Sequence, residues 1–451
     1  MRNLGSSGLH RVIDPPKTAD LAASCYISAG ATEDDGWIKA LDLSSGAGVT
    51  CLGYSNQPVI DAIREQVGIL PYVHSTNWTN SPAEQLASMV LEEAGPAFAH
   101  GRVLFLNGGA EAVEAACKLT VQYFQEDKKR NGVTFFARDH SYHGNTAFTM
   151  ALGNHPRKEP YSVLCDGVGR RIIRFPAFMP AWDAPADITV YEDKCLDYLE
   201  NALKGFYKNR MPVAIVIETI GGTTIGIEPP TARYLARIRE MVDANPGRAI
   251  LIYDEVLSGN FRSGEMFAWQ RYQRQTDKNL APDIMAVGKG LSGGYLPLSA
   301  VIVSEKIVAA IRQGSHRLWH STTNQNHPLG CAAGVAAMGQ YRAFRDSGQL
   351  GTLESLLHMA FESLALSPHY DTISGVGSLW GMRLKNQRPG FHTKVREAAL
   401  REGLSIYTEG GTVMGKGNFV LIAPPYCISR EALGEGLERL NQVIAKESAG
   451  G

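Results

Sequence analysis

One lysine, Lys289, stands alone among glycines and apolar residues in the stretch PDIMAVGKGLSGGYLPLSA, Pro282 to Ala300. An unpaired ammonium on an apolar turn is costly unless it is neutralised, paired or used covalently. A neutral lysine amine attacks carbonyl groups, and desolvation in an apolar pocket is one way to make it neutral. Asp254 and Glu255 follow the apolar run AILIY. A carboxylate at the end of a buried strand either joins a structural ion pair or cap, or faces a cationic group on a ligand, such as a protonated ring nitrogen. At about 4 Å and an effective dielectric of about 20, that pairing is worth ~4 kcal/mol. It would raise a ring nitrogen's pKa by about 3, enough to keep a pyridine protonated at neutral pH.

Two further turns could touch a ligand. After RVLFL come Asn107, Gly108, Gly109, Ala110 and Glu111, which open a helical pattern. Glycines admit a ligand close to the backbone, and a helix N-terminus offers free N–H groups and partial positive charge, which together make an anion site. The plainer reading is a tight strand-to-helix turn. No Gly-Lys-Ser/Thr follows these glycines, and Gly288-Lys289-Gly290 also lacks the hydroxyl residue, which counts against a nucleotide-hydrolysing P-loop. In RDHSYHGNT, Tyr142 either packs its loop or presents a flat ring to a planar ligand. His140 and His143 have no third ligand at a helpful spacing, so no metal site is read. A phosphate cradle, a stacking aromatic, a carboxylate for a ring nitrogen and a desolvated lysine are together the needs of pyridoxal 5'-phosphate. Lys289 would then be spent on a Schiff base.

The elements that must position these residues show in the apolar pattern. RVLFLNGG, VTFFARDH, AIVIETIGG, AILIYDEV and LSAVIVS are short apolar runs that end at acidic or glycine turns and alternate with helical patterns. That predicts an α/β fold with a buried, mostly parallel central sheet flanked by helices, and ligands bind such sheets at the carboxyl ends of their strands. In AEAVEAACKLTVQYF, Ala112, Ala116, Leu119 and Tyr123 share one helix face, with Glu114 four before Lys118. Ser429 is placed to cap a helix carrying Leu433, Leu437, Leu440 and Ile444. WIKALDLSSGAGVT, after the turn signal Asp34-Asp35-Gly36, reads as a hairpin. We expect an N-terminal segment, 1–65, to join a C-terminal part, 321–451, in a smaller α+β domain beside a large cofactor-binding domain, 66–320.

Composition narrows the class. The 451 residues exceed what one core usually organises. With 44 basic against 45 acidic residues, and the basic ones scattered, nothing points to a nucleic-acid or membrane-surface binder. Seven cysteines, odd in number and without a CxxC pair, argue against a disulfide scaffold and for a reducing compartment. No apolar window is long enough for a membrane helix, and MRNLGSSGLHRVIDPP lacks the apolar core of a secretory signal. The expected location is the cytoplasm.

At this point the chain resembles the class III (omega-type) aminotransferases of the fold type I, pyridoxal-phosphate-dependent group, from about residue 28 to the C-terminus. FLNGGAEAVEAACKL is similar to that family's NSGSEA phosphate segment and SYHGNT to its Tyr-His-Gly. LIYDEVLSGNFRSGEMFAW resembles DEVxxGFGRTGxMFA, and the Lys289 stretch resembles the cofactor-lysine signature. HSTTNQNHPLGCAA resembles HGxTFxGNPLACAA. The resemblance implies that Lys289 carries the Schiff base and then shuttles the proton, and that Asp254 pairs with the pyridine nitrogen. It implies that Val256 packs one ring face opposite Tyr142, that the N–H groups of Gly109 and Ala110 hold the phosphate, and that Glu218 stands close behind the cofactor. Thr323 would reach the phosphate of a neighbouring subunit, making a homodimer with shared sites, able to pair further into tetramers.

Three departures bear on substrate. Leu421, before IAPP in FVLIAPP, replaces an arginine that grips a substrate α-carboxylate, and leucine has no guanidinium fork. Thr223 replaces the glutamate that gates that arginine, and Asn324 replaces an aromatic after the phosphate-binding threonine. Trp78 matches a pocket wall or is interface core, and Arg262 is either a substitute anchor or a structural ion pair. The expected reaction is ping-pong transfer of an amino group from an amine or non-standard amino acid to a keto acid or aldehyde. The rivals are a racemase, epimerase or decarboxylase on the same fold, a nucleotide-binding ATPase, and a cofactor-free interaction protein.

Overall fold

The computed structural model describes residues 19–29, 38–126 and 132–449. Seven apolar runs form its central sheet: β1 (Arg102–Leu106), β2 (Thr134–Arg138), β3 (Ile172–Phe175), β4 (Val213–Glu218), β5 (Ala249–Asp254), β6 (Ile284–Val287) and β7 (Ser299–Val303). Their order across the sheet is β1-β7-β6-β5-β4-β2-β3. Neighbours from β3 through β6 are parallel, while β7 runs antiparallel to both β6 and β1. Six strands therefore point one way and end on one edge. The five runs legible in the sequence are all strands. Ile172–Phe175 and Ile284–Val287 complete the sheet, the latter too short to stand out from its apolar surroundings.

The near-continuous apolar character of these strands follows from their being covered on both faces. Side chains alternate between faces. Val213, Ile215 and Ile217 thus enter one core with Tyr253, Met285 and Val287, whereas Ala214 and Val216 enter the other with Ile250, Ile252 and Ala286. The second core is closed by the helix Gly109–Glu126, whose Ala112, Ala116 and Leu119 are buried and whose Tyr123 is half-buried. Lys118 Nζ of that helix donates to His320 Nδ1 at 2.8 Å.

Two four-stranded sheets flank this unit. Ala19–Ala23, Tyr26–Ala29 and Ile38–Asp42 form an antiparallel ribbon to which Leu404–Ser405 adds in parallel. Tyr26–Ala29 and Ile38–Asp42 pair as a hairpin, and its Asp34-Asp35-Gly36 turn lies outside the described residues. The other sheet runs Tyr370–Val376, Leu379–Leu384, Lys416–Ile422, Tyr407–Val413. Ser429 Oγ accepts from Ala432 N at 3.1 Å at the start of the helix Arg430–Ala449, which buries Leu433, Leu437, Leu440 and Ile444. All seven cysteines are free thiols.

Ile215, fully buried in β4, has no space to spare. Ile215→Ala should destabilise the protein by about 2–5 kcal/mol, read as a lower urea midpoint. Ile188→Ala, at a site 41% exposed, should leave the midpoint nearly unchanged.

Candidate active site

The shared edge of the sheet gathers the chemistry. Glu218 and Asp254 are the last residues of β4 and β5 and are register partners. Lys289 follows β6 by two residues, and Gly109 starts a helix three residues after β1 ends. Lys289 sits at φ 45°, in the left-handed region that a lysine rarely adopts. The backbone is pinned on both sides of it. Gly288 O accepts from Asn260 Nδ2 at 2.9 Å, and Gly290 O accepts from the Tyr341 hydroxyl. Strain held in place by neighbours is what a functional position can afford.

The adjacent carboxylates Asp254 and Glu255 have different fates because successive side chains on a strand point opposite ways. Glu255 is fully buried and accepts from Ala268 N and Trp269 N, both at 3.1 Å, at the start of a short helix. Burial pushes its carboxyl up to about 7, against the hydrogen bonds it accepts. Asp254 instead lines a cavity. Its Oδ2 is 2.8 Å from His143 Nδ1 and its Oδ1 accepts from Val256 N at 3.0 Å. Nearby, Arg138 Nη2 donates to Glu218 Oε2 at 3.1 Å. Burial holds Glu218 above the usual carboxylate range, opposed by Arg138 and His143. For Lys289, burial of the amine brings its pKa down to about 8, against the pull of Asp254 and Glu218.

The cavity has a volume of about 360 Å³ and is lined by Gly108, Gly109, Ala110, Tyr142, His143, Glu218, Asp254, Val256 and Lys289, among others. Those residues fit pyridoxal phosphate. The first N–H groups of the helix starting at Gly109 have no intrahelical acceptor, and they lie on the cavity wall. A Cβ on Gly109 would come within 2.6 Å of Val256 Cγ1, so only glycine keeps this wall open. His143 Nε2 is buried without a partner among the described residues.

Arg262, Trp78 and Thr323, singled out in the sequence, are not among the residues lining the cavity, nor are Asn324 and His140. Arg262 is buried, with Nη1 donating to Pro424 O at 2.7 Å and its guanidinium over the Tyr426 ring. Trp78 is 67% exposed. Thr323 is exposed, its carbonyl accepting from the Tyr72 hydroxyl at 3.1 Å. Leu421 and Thr223 do line the cavity. So do Arg157, His155, Tyr407 and Glu409, which sequence reading did not single out. Arg157 lies in GNHPRKEPY, whose irregular backbone gives no periodic signal, and Glu409 lies on a strand more than 200 residues later. His143 was noticed only as a metal candidate, yet its contact is Asp254.

A mostly parallel α/β sheet with lysine, carboxylate and glycine-opened helix on one edge defines the fold type I class of pyridoxal-phosphate-dependent transferases. Within it, this chain belongs to the class III aminotransferases: the family described as Aminotransferase class-III matches residues 24–444. An uncharacterised aminotransferase of Schizosaccharomyces pombe is 32% identical over 429 residues, 91% of this chain and 90% of its own length. The acetylornithine aminotransferase of Vibrio vulnificus is 31% identical over 409 residues, 90% of this chain and 89% of its own. The taurine:2-oxoglutarate aminotransferase of Bifidobacterium kashiwanohense, solved with pyridoxal phosphate and glutamate, superposes with a TM-score of 0.83 at 26% identity. That likeness covers 98% of this chain and 95% of the solved one.

Because the folded protein releases the Lys289 proton at about 8 instead of 10.5, stability contributed by this group rises with pH across that window. The amine's reactivity follows the same curve. Capture of added pyridoxal phosphate by cofactor-stripped protein, followed by absorbance, should accelerate with pH and level off above about 8. A midpoint near 10.5 would contradict this account.

Proposed function

We propose that this chain is a pyridoxal-phosphate-dependent transaminase that takes an amino group from an amine, or from a non-standard amino acid, and delivers it to a 2-oxo acid or aldehyde in two alternating half-reactions. The observation that carries this reading is a lysine amine lowered to about 8 on the wall of the same cavity as Asp254. Pyridoxal phosphate, when bound, supplies an electron-accepting ring that makes a proton on the substrate's amine-bearing carbon removable. Lys289 would be its covalent attachment point and, once freed, the base that moves that proton. Asp254, steadied by His143 and the Val256 N–H, would pair with the ring nitrogen and favour its protonated form. The backbone at Gly109 and Ala110 would hold the phosphate and Val256 and Tyr142 would pack against the ring, with Glu218, paired to Arg138, on the same cavity wall.

The apolar Leu421 and the uncharged Thr223 on the cavity wall favour donors not gripped by an ionic contact at those two places. The same enzyme is proposed to work as a homodimer in the cytoplasm, with Thr323 completing the partner's phosphate site. Ile69, Trp78 and Trp319 are each 67% exposed. Hydrogen bonds from Tyr72 and Gln325 tie the segments that carry Trp78 and Thr323 together. Large exposed apolar side chains gathered in this way suit a subunit interface.

The test uses an amine donor carrying isotope-labelled nitrogen and an unlabelled 2-oxo acid. The label should appear in the amino acid formed, and Lys289→Ala should lower that rate by about a thousandfold or more. Carbon dioxide release or inversion of the donor without nitrogen transfer would instead favour a decarboxylase or epimerase.

A further inference from the structure

The cavity wall holds one ion pair that the chemistry above does not use. Arg157, on the turn Pro156–Tyr161, donates through Nη2 to Glu409 Oε2 on the strand Tyr407–Val413. Both residues line the cavity that holds Lys289. Glu409 is the fixed member: its side chain is 9% exposed, and the Tyr407 hydroxyl donates to the same Oε2 at 2.8 Å. His155 adds to this. Its Nδ1 accepts from Arg157 N at 3.1 Å, so the neutral ring carries its proton on Nε2, which lies 3.9 Å from Glu409 Oε2. Arg157 is the more exposed member. Its side chain is 27% exposed, and it also borders a second cavity lined by Met150, Pro160, Tyr161 and Leu164.

The position of the pair matters as much as its chemistry. Tyr407 is the register partner of Leu421, and Glu409 that of Phe419. The only fork-shaped donor lining the Lys289 cavity among the described residues therefore stands beside the place where Leu421 offers no charge. A guanidinium held by a carboxylate is already in the geometry that binds a carboxylate. With Arg157 paired, the wall is electrically neutral, which suits an amine without an acid group. With Arg157 released, the wall grips an acid.

We propose that Arg157 is the residue that binds the carboxylate of the 2-oxo acid substrate, and that Glu409 holds it in the resting site as an internal stand-in for that carboxylate. This rests on the transaminase reading. The substrate acid displaces Glu409 from the guanidinium, and Glu409 retains the Tyr407 hydroxyl and the His155 edge when it is displaced. Arg157 and Glu409 thus determine specificity and take no part in proton transfer.

The test separates binding from turnover. Calorimetry with maleate, a dicarboxylate that cannot be transaminated, gives a Kd on the cofactor-loaded protein, and acceptor competition gives the ratio of kcat/KM for a 2-oxo acid over that for an aldehyde. Arg157→Leu should weaken maleate at least about tenfold and lower the ratio by a similar factor, as loss of a charge-assisted contact implies. Arg157→Lys should restore only part of it, because it lacks the fork. Glu409→Gln removes the competitor and should tighten maleate by about threefold or more. Unchanged maleate binding in Arg157→Leu overturns the proposal, as does weaker binding in Glu409→Gln, which also decides the matter if the arginine variant does not fold. Failure of the wild type to transfer nitrogen from any donor would fall on the transaminase reading alone, since the maleate affinities still report on Arg157.

Discussion

An amine inside a protein gives up its proton more easily than in water only if burial outweighs the carboxylates around it, and that balance organises this molecule. Lys289 lies on the edge of a sheet where Asp254 and Glu218 also end, and both acids favour its charged form. Burial still prevails, bringing the amine to about 8. It prevails because each acid is engaged elsewhere: Asp254 by His143 and the Val256 N–H, Glu218 by Arg138. Three ionisable residues at or just beyond the ends of three neighbouring strands thereby line one cavity.

The sheet makes this arrangement unavoidable once the strands are in register. Parallel strands bring their carboxyl ends to a common edge, and the pairing of Glu218 with Asp254 fixes the two acids side by side. β7 is the exception, running against its neighbours so that Ser299 lies at the same edge as the end of β1. Its hydroxyl donates to Gly108 O at 2.9 Å, steadying the turn that opens the helix at Gly109. The left-handed backbone at Lys289 is tolerated because Asn260 and Tyr341 hold the peptide on each side.

Much of this was legible in the sequence, and the reasons are local. Apolar runs ending in Glu218, Asp254 or a glycine turn announce strands with chemistry at their ends, and the helix after Gly109 follows from period alone. What escaped depends on contacts between distant segments. His143 meets Asp254 across 111 residues, and Arg157 meets Glu409 across 252. Neither pair leaves a spacing to detect. The short strand Ile284–Val287 merges into the apolar stretch before Lys289, although it is the element that delivers the lysine. Arg262 shows the same dependence on distant segments: its guanidinium meets Pro424 and Tyr426, more than 160 residues later in the sequence.

Lys289 is proposed to be used covalently. Reducing the cofactor-loaded protein with borohydride and mapping its peptides by mass spectrometry tests this without any knowledge of the substrate. The account predicts that the pyridoxyl group is found on Lys289, and that Lys289→Ala leaves no peptide modified. A pyridoxyl group on another lysine, or none on the wild type after loading, would contradict it.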